Sequence, residues 1–366
     1  MTKIDWTRLS PHLPLDGDDP RYIPRPSRGG AQLAAFLKNG MGPIAVTGPV
    51  GCGKSTELAV AANSLRLEGI TTVHERLDRV MDMHSVQPQN VYARLVRALA
   101  LMGQTPGVPV VPGSILFPNV PAHEPPPEGW HDRLLRLLRH LRSQSPTGRM
   151  ALLIDGFEKS PVHAILDTVS FVLSLSTECE MALVVPPSMV TGPDSYSITS
   201  QVRRVFPVSP MQVRQARGND EGAFFFRLFA SRISANEPDA DPLITSDLQF
   251  IVGKAAEFSG GIPRTFLQLV QDAAGYASVN GRELPTREDL LDALKDHTAS
   301  MKRLLREGDV DLLHRARGTD GLEIPIDARI RLLTHGLLLE HEDANRTVTL
   351  SVHPLLDPLI HGKYLF

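Results

Sequence analysis

One segment of the 366-residue sequence carries a pattern that can bind phosphate groups. It reads GPVGCGKS and fits G-x-x-x-x-G-K-[ST] at every fixed position. Glycines at these spacings let backbone N–H groups turn toward phosphate oxygens, and a helix that begins at the lysine directs its positive end at the same anion. The lysine then contacts the β- and γ-phosphates, and the serine hydroxyl binds Mg²⁺. The residues predicted to bind a nucleotide here are Gly48, Pro49, Val50, Gly51, Cys52, Gly53, Lys54, Ser55 and Thr56.

The elements beside this loop suit such a role. Residues 43–47 (PIAVT) predict a buried strand and residues 55–67 a helix. A glycine-rich turn that only joins a strand to a helix is the alternative interpretation. Asp155 follows a second apolar run, MALLI at 150–154. Because a buried parallel strand delivers the side chain at its carboxyl end to the ligand crevice, Asp155 and Ser55 are the predicted ligands of Mg²⁺.

A further carboxylate lies three residues beyond Asp155, in DGFEK. Glu158 is predicted to orient or activate the water that attacks the γ-phosphate. A surface ion pair between Glu158 and Lys159 is the alternative, and the sequence leaves both open.

Composition excludes several classes of protein. The sequence is 42% hydrophobic and 22% charged, which is typical of soluble globular proteins, and its net charge of −3 gives no overall basic field for nucleic acid. Cys52 and Cys179 have no CxxC spacing, so neither a disulfide framework nor a cysteine metal site is expected. No segment resembles a signal peptide or is long enough to span a bilayer. We therefore expect a cytoplasmic protein with no membrane partner.

Strand and helix patterns alternate through the first part of the chain, which predicts an α/β fold with a parallel sheet covered on both faces. Helical patterns dominate after residue 210, and the tail ends with two short helical patterns and strands at 337–340 and 347–352, the outline of a winged helix. The predicted parts are an extended N-terminal lead-in (1–30) lying along the next domain, a sheet core (31–210) with a proline-rich surface insertion (104–129), a helical lid (211–306) and a winged-helix domain (307–366).

These motifs together resemble the AAA+ and STAND groups of P-loop ATPases. The resemblance is carried by RYIPRP, GCGKSTEL, DGFEK and FSGGIPR, and it covers the chain from about residue 20 to the end. It implies an ASCE/AAA+-like P-loop NTPase core with an α-helical lid and a winged helix, ATP or ADP and Mg²⁺ as cofactors, and hydrolysis of ATP. The TKID at residues 2–5 fits a guanine-reading pattern, but it precedes the loop, which favours ATP over GTP.

The resemblance assigns a role to an arginine of the lid. Arg264 in GGIPR matches the residue called sensor 2, which reaches over the γ-phosphate, and Pro263 accompanies it. Gly260 and Gly261 are predicted to end one helix and Pro263 to begin the next, so Arg264 lies in a first helical turn. A charge on a helix surface is the alternative.

The resemblance also implies roles for four residues nearer the core. Arg203 and Arg204 precede VFPV, near the position of an arginine finger that completes a neighbour's site, although adjacent arginines also occur at exposed strand ends. Tyr22 and Arg25 are expected to pack near the adenine.

Two departures from the family pattern predict slow turnover. Gly156 stands where many such ATPases have a second acid, and Pro186 and Pro187 replace the polar residue expected after MALVV. A nucleotide bound as a structural element, with almost no turnover, is the extreme form of this expectation.

Two functions follow from these expectations. The favoured one is a regulatory ATPase switch whose nucleotide state controls homo-oligomer formation or the binding of a partner protein. The alternative is a DNA-binding ATPase of the replication-initiator or transposition-regulator type that uses its winged helix. Acidic residues outnumber basic ones from residue 307 onward, and the predicted wing turn HEDANR is acidic, which favours a protein partner over DNA.

Overall fold

The computed structural model divides the chain into two compact units, each described by itself below. The sheet unit comprises Gly30–Thr47 and Lys54–Pro207, and the lid unit comprises Met1–Gly29, Gly48–Gly53 and Val208–Phe366. The proline-rich insertion predicted at 104–129 lies outside the described residues. The structure describes residues 4–11, 15–84, 86–102, 130–160, 162–191, 195–213, 220–233, 245–317, 323–342 and 348–361.

A five-stranded sheet, parallel throughout, forms the centre of the sheet unit. Every residue of its first and third strands is buried, as expected for a parallel sheet covered on both faces. The spatial order is β2-β3-β4-β1-β5, so β4 separates the strand before the phosphate loop from the strand that ends in Asp155. The strands are β1 (Ile44–Thr47), β2 (Thr71–Arg76), β3 (Met150–Asp155), β4 (Glu180–Val184) and β5 (Arg204–Pro207).

Amphipathic helices cover this sheet. In the fourth helix Leu134, Leu137, Leu138 and Leu141 are buried at helical spacing and join the core built on the third strand. The helices are α1 (Gly30–Lys38), α2 (Lys54–Leu67), α3 (Pro88–Met102), α4 (Trp130–Gln144), α5 (Val162–Ser174), α6 (Ser188–Thr191) and α7 (Ser195–Thr199).

Four helices form the first part of the lid unit, around a core that includes Phe225, Phe229 and Phe266. They are α8 (Asp220–Ile233), α9 (Ser246–Phe258), α10 (Pro263–Val279) and α11 (Arg287–Lys302).

The last of these helices is shorter than the sequence predicts. The pattern indicates a helix over 287–306, but α11 ends at Lys302. The Arg306 N–H donates to the Asp309 carboxylate at 2.7 Å, which gives this segment a local turn instead of a further helical one.

The lead-in packs within the lid unit. It includes a 3-10 helix at Trp6–Leu9, Leu9 is fully buried in the lid core, and the Trp6 indole N–H donates to Glu283 O at 3.3 Å. The expectation of a wholly extended lead-in therefore missed one helical turn, which Asp5 caps by accepting from the Thr7 N–H.

The tail has the order of elements predicted for a winged helix. Two helices precede an antiparallel hairpin, and Leu313, Leu332, Leu350 and Val352 share their core. The predicted polar turn overlaps residues 343–347, which lie outside the described part, and the boundaries at 211, 306 and 307 stay predictions. The elements are α12 (Asp309–Ala316), α13 (Ile326–Thr334), β6 (Leu338–Glu342), β7 (Val348–Val352) and α14 (Asp357–His361).

In the part of the chain that the structure describes, no helix combines the length and apolar character needed to cross a bilayer.

Candidate functional site

The phosphate loop needs its glycines for space and for backbone conformation. Gly48 has φ 142° and Gly51 has φ 89°, in the backbone region that residues with a side chain rarely adopt. A Cβ on Gly48 would lie 2.4 Å from Val208 O, and one on Gly51 would lie 2.8 Å from the Arg264 Cβ. α2 begins at Lys54, directly after the loop, so the N–H groups of its first turn, which a helix leaves without an intrahelical acceptor, follow the loop in the chain.

Arg25 holds the backbone of this loop. Its Nη1 donates to Cys52 O at 2.6 Å and its Nη2 donates to Ser209 O at 2.5 Å. The side chain is 8% exposed, so these charge-assisted hydrogen bonds form out of water, where they are strong. Arg25 thus contacts the loop itself, while its expected place near the adenine, with half-buried Tyr22, stays a prediction.

The lid sequence FSGGIPR folds as predicted around Arg264. α9 ends at Phe258, Gly260 and Gly261 adopt φ of 63° and 76°, and Pro263 opens α10. The Arg264 N–H donates to Gly51 O at 3.3 Å, which brings this helical turn onto the phosphate loop. Its half-buried guanidinium has no ion pair or hydrogen bond to the residues described, and its contact with the γ-phosphate stays a prediction.

Four predicted site residues of the sheet unit lie together at the carboxyl end of β3. Lys54 is 5% exposed and Asp155 is 1% exposed. The Ser55 hydroxyl hydrogen-bonds to the Asp155 carboxylate, and the positive charge of Lys54 acts on the carboxylates of both Asp155 and Glu158. The structure therefore groups a cation, a hydroxyl and two carboxylates, as the motif spacing predicts.

The oxygens of Ser55 and Asp155 fit a magnesium ion. Mg²⁺ prefers hydroxyl and carboxylate oxygens, and in nucleotide sites it binds one or two carboxylates together with phosphates. Among the residues that the structure describes, the buried Asp155 Oδ1 has no hydrogen-bond partner, which fits an atom that binds a cation. Because Mg²⁺ in nucleotide sites also binds substrate phosphates, phosphate oxygens would complete the coordination. Among the described residues no group of three or more His, Cys, Asp or Glu could hold a metal ion.

Burial is the largest influence on the pKa of both carboxyl groups. It raises the pKa of Asp155, to which Asp78 adds, while the Ser55 hydrogen bond and the cations Arg76 and Lys54 oppose it. Burial likewise raises the pKa of Glu158, against the charge of Lys54.

Glu158 does not pair with its neighbour in sequence. The Lys159 ammonium binds Asp78, and the buried Glu158 Oε2 has no hydrogen-bond partner within the described ranges. The Glu158 carboxylate interacts electrostatically with Lys54 and Asp155, and such an environment suits a group that positions water.

Arg203 and Arg204 lie elsewhere in the sheet unit. Arg204 begins the edge strand β5 and pairs in register with Ile44, the first residue of β1, whereas Asp155 is the last residue of β3, so the two residues lie at opposite ends of the parallel strands. The Arg203 Nη1 donates to Gly40 O at 2.8 Å, and the Arg204 guanidinium lies 4.3 Å from the centre of the Phe36 ring. Within the sheet unit both contacts lie apart from the group of Lys54, Ser55 and Asp155, and a role in a neighbour's site stays a prediction.

Two charged residues near the site were missed by the sequence analysis. Arg76 pairs in register with Asp155, and its Nε lies 3.7 Å from the Asp155 Oδ2. Glu57 is 4% exposed and accepts a 2.6 Å hydrogen bond from the N–H of Gly30, which ties α2 to the start of α1. Neither contact has a sequence signal, because each depends on a partner distant in the chain.

No protein-family model matches the sequence, and no curated protein matches it. Several solved structures are similar. The Aeropyrum pernix ORC2 protein, in ADPNP-ADP complexes, is 13% identical with a TM-score of 0.52, over 93% of this chain and 94% of that one. Cdc6p from Pyrobaculum aerophilum is 14% identical with a TM-score of 0.49, over 98% and 96%. The Thermotoga maritima RuvB Holliday junction branch migration motor is 13% identical with a TM-score of 0.40, over 90% and 92%.

Similarity at this level of identity concerns the fold. This chain and ORC2 align over nearly their full lengths with a TM-score of 0.52, and the chain itself has a parallel five-stranded sheet with the phosphate loop after β1. The chain therefore has the AAA+ P-loop ATPase fold, the fold class that the sequence predicted.

Proposed function

We propose that the chain binds ATP or ADP with Mg²⁺ at the phosphate loop and hydrolyses ATP slowly. The observation that carries this proposal is the buried group of Lys54, Ser55 and Asp155, directly after a loop whose glycines have the required backbone. The similar ORC2 protein was solved with ADPNP and ADP, which supports an adenine nucleotide as the ligand.

Each residue of the site has a defined task in this proposal. The loop N–H groups and Lys54 bind the β- and γ-phosphates, and Arg264 contacts the γ-phosphate from the helical turn that already touches Gly51. Mg²⁺, held by Ser55 and Asp155, would offset the phosphate charge. Glu158 would orient the attacking water and accept its proton. Gly156 and the prolines after β4 supply no further polar group, which is the basis for slow turnover.

Glu158→Gln tests the catalytic part of this proposal. The amide keeps the size of the side chain but cannot accept a proton, so ATP should still bind while its hydrolysis falls by about a hundredfold or more. Single-turnover hydrolysis and nucleotide titration would be measured on the same protein. Unchanged hydrolysis would remove Glu158 from the mechanism.

We further propose DNA as the ligand of the tail, in a DNA-binding ATPase of the replication-initiator type. The likeness in fold to ORC2 supports this alternative better than the switch that the sequence favoured. The order of α12, α13 and the β6-β7 hairpin suits a winged helix in which α13 enters a groove.

A switch that binds a partner protein is the second candidate, and the charges of α13 favour it. Arg329 lies 3.8 Å from the Glu340 carboxylate, and Arg331 pairs with Asp309. Both arginine side chains are only 16% exposed. A cation already paired inside the domain contributes less to a phosphate contact, because its partner must first be displaced.

DNA binding by the full chain, with and without ATP and Mg²⁺, separates the two candidates. A DNA-binding ATPase that neutralises several phosphates should lose at least about tenfold in affinity when salt rises from about 50 to about 200 mM. Absence of salt-sensitive DNA binding in every nucleotide state would exclude the DNA proposal and leave the protein partner. ATP binding itself is measured separately, so either outcome leaves the nucleotide proposal intact.

A further inference from the structure

Arg232, one residue before the end of α8, is a buried cation without a partner among the residues described. The residue is 7% exposed, its Nε has no hydrogen-bond partner, and its guanidinium forms no ion pair with a described carboxylate. Burying a charge costs free energy that folded proteins normally recover through a paired or hydrogen-bonded counter-charge. Arginine cannot escape this cost by losing its proton.

A second arginine lies beside it. The Ser231 hydroxyl donates to Arg21 O at 3.1 Å, which holds the lead-in against the end of α8. The Arg21 Nε and Nη2 donate to the two oxygens of Asp19 at 2.9 and 2.6 Å, and the Arg21 N–H also donates to Asp19, at 2.9 Å. Among the described residues, the one acid that acts on this pair of guanidiniums is thus fully engaged by one of them.

The electrostatics of the pair agree with an excess of positive charge. Burial lowers the pKa of Arg232, the neighbouring Arg21 charge lowers it further, and Asp19 opposes both. Arg21 itself is 37% exposed at its side chain, so the group has a buried cation and a cation that reaches water. Within the described part of the chain, two guanidiniums and one carboxylate leave one positive charge unmatched.

We propose that Arg232 and Arg21 form a binding site for a small oxyanion, with Arg232 as the buried anchor and Arg21 at the rim. The planar guanidinium binds phosphate and carboxylate groups through two parallel N–H bonds, and a site with two such groups suits a phosphate group. None of its residues belongs to the phosphate loop or makes the contacts that hold it, so the site does not depend on the proposed ATP binding.

Acidic residues of the chain itself could compete with phosphate for this site. Glu237, Asp239 and Asp241 follow Arg232 closely in sequence and lie outside the described residues. A carboxylate of the chain itself and a phosphate from solution offer the same oxyanion chemistry, so the experiment must distinguish them.

Thermal unfolding in phosphate and in chloride at matched ionic strength tests the proposal, with acetate as the carboxylate probe. The background is Lys54→Ala, which disables the phosphate loop. Phosphate should raise the unfolding midpoint of Lys54→Ala, because a ligand that binds only the folded state stabilises it.

Adding Arg232→Met should abolish the rise, and adding Arg21→Gln, at a more exposed position, should weaken phosphate binding about tenfold. Arg227→Gln, an exposed arginine on the same helix, is the matched control and should leave the rise unchanged.

Three results would overturn the proposal. They are no phosphate-specific rise in Lys54→Ala, a rise that survives both Arg232→Met and Arg21→Gln, and a rise that appears only after Glu237, Asp239 and Asp241 are replaced by their amides. The last would assign the guanidiniums to the chain's own carboxylates. If Arg232→Met fails to fold, Arg21→Gln serves as the test variant instead. Isothermal titration with inorganic phosphate then compares Lys54→Ala with Lys54→Ala/Arg21→Gln, and equal affinities would overturn the proposal.

Discussion

The Arg25 guanidinium donates a 2.6 Å hydrogen bond to the carbonyl oxygen of Cys52, which is 27 positions away and inside the phosphate loop. The same group binds Ser209 O at 2.5 Å, so one buried cation connects the lead-in, the loop and the segment after β5. A carbonyl held in this way cannot turn toward the phosphates, where N–H groups are needed. The shape of the loop therefore depends on a residue outside its motif.

Arg25→Met should weaken nucleotide binding by about tenfold to a hundredfold, the cost of losing charge-assisted hydrogen bonds that shape the site. Arg25→Lys keeps the charge but cannot make both contacts in the same geometry. Its nucleotide affinity should therefore lie between those of the unmodified protein and Arg25→Met. Titration with ATP and with tripolyphosphate separates a loop clamp from an adenine contact. Equal losses for both ligands support the clamp, and a loss confined to ATP contradicts it.

Arg264→Ala should weaken ATP more than ADP, by about tenfold, because only ATP carries the γ-phosphate that the side chain is proposed to contact. The backbone hydrogen bond from residue 264 to Gly51 survives this substitution, so the change reports on the guanidinium alone. Arg287→Ala is the control, since that arginine lies 4.2 Å from the Phe250 ring centre, on the helical lid. Equal affinities of Arg264→Ala and the unmodified protein for ATP would remove Arg264 from the site.

Local sequence patterns account for much of the fold. The contiguous apolar runs at 43–47, 150–154 and 181–185 predict buried strands, and all three are present. The sequence does not predict β5, because Arg204–Pro207 is four residues long and contains a proline, which is tolerated only at a sheet edge. The strand order β2-β3-β4-β1-β5 has no local signal either, since it depends on pairings between distant segments.

Some residues of the candidate site can likewise be predicted from the sequence and others cannot. Lys54, Ser55 and Asp155 are predicted because the loop motif and a strand end have recognisable spacing. Arg25 and Arg76 act through partners far away in the chain, and a single arginine has no pattern that reveals such a partner.

Gly261→Ala should destabilise the lid unit more than Gly→Ala at any other glycine that the structure describes in that unit. A Cβ there would lie 1.9 Å from Met211 O, and the residue has φ 76°. The expected loss is about 3 kcal/mol or more, from backbone strain together with the clash. Gly281→Ala is the matched control, with φ 71° and no atom within 4 Å of its added Cβ, and should cost only about 1–2 kcal/mol. Urea unfolding measures both, and equal costs would contradict the close approach.

Asp155→Asn should stabilise the protein when neither Mg²⁺ nor nucleotide is present. Burial raises the pKa of this carboxyl in the folded state, so the folded protein holds the proton more tightly than the unfolded chain does. Stability is therefore lost as pH rises from the ordinary carboxyl value of 3.8 through the raised pKa, and the amide avoids this loss. Urea midpoints should favour the variant at neutral pH and converge toward acid pH. A less stable variant at neutral pH would show that the carboxylate is not penalised by burial.

Nucleotide affinity of Lys54→Ala, compared with that of the unmodified protein, tests the central claim most directly. Lys54 is the one side chain of the loop motif that neutralises phosphate charge, and its loss should weaken ATP binding by about a hundredfold while the fold is retained. A fluorescent ATP analogue titrated with Mg²⁺ gives both affinities. Tight binding by the unmodified protein and weak binding by the variant is the predicted result, whereas equal affinities, or no binding by either protein, would contradict the account.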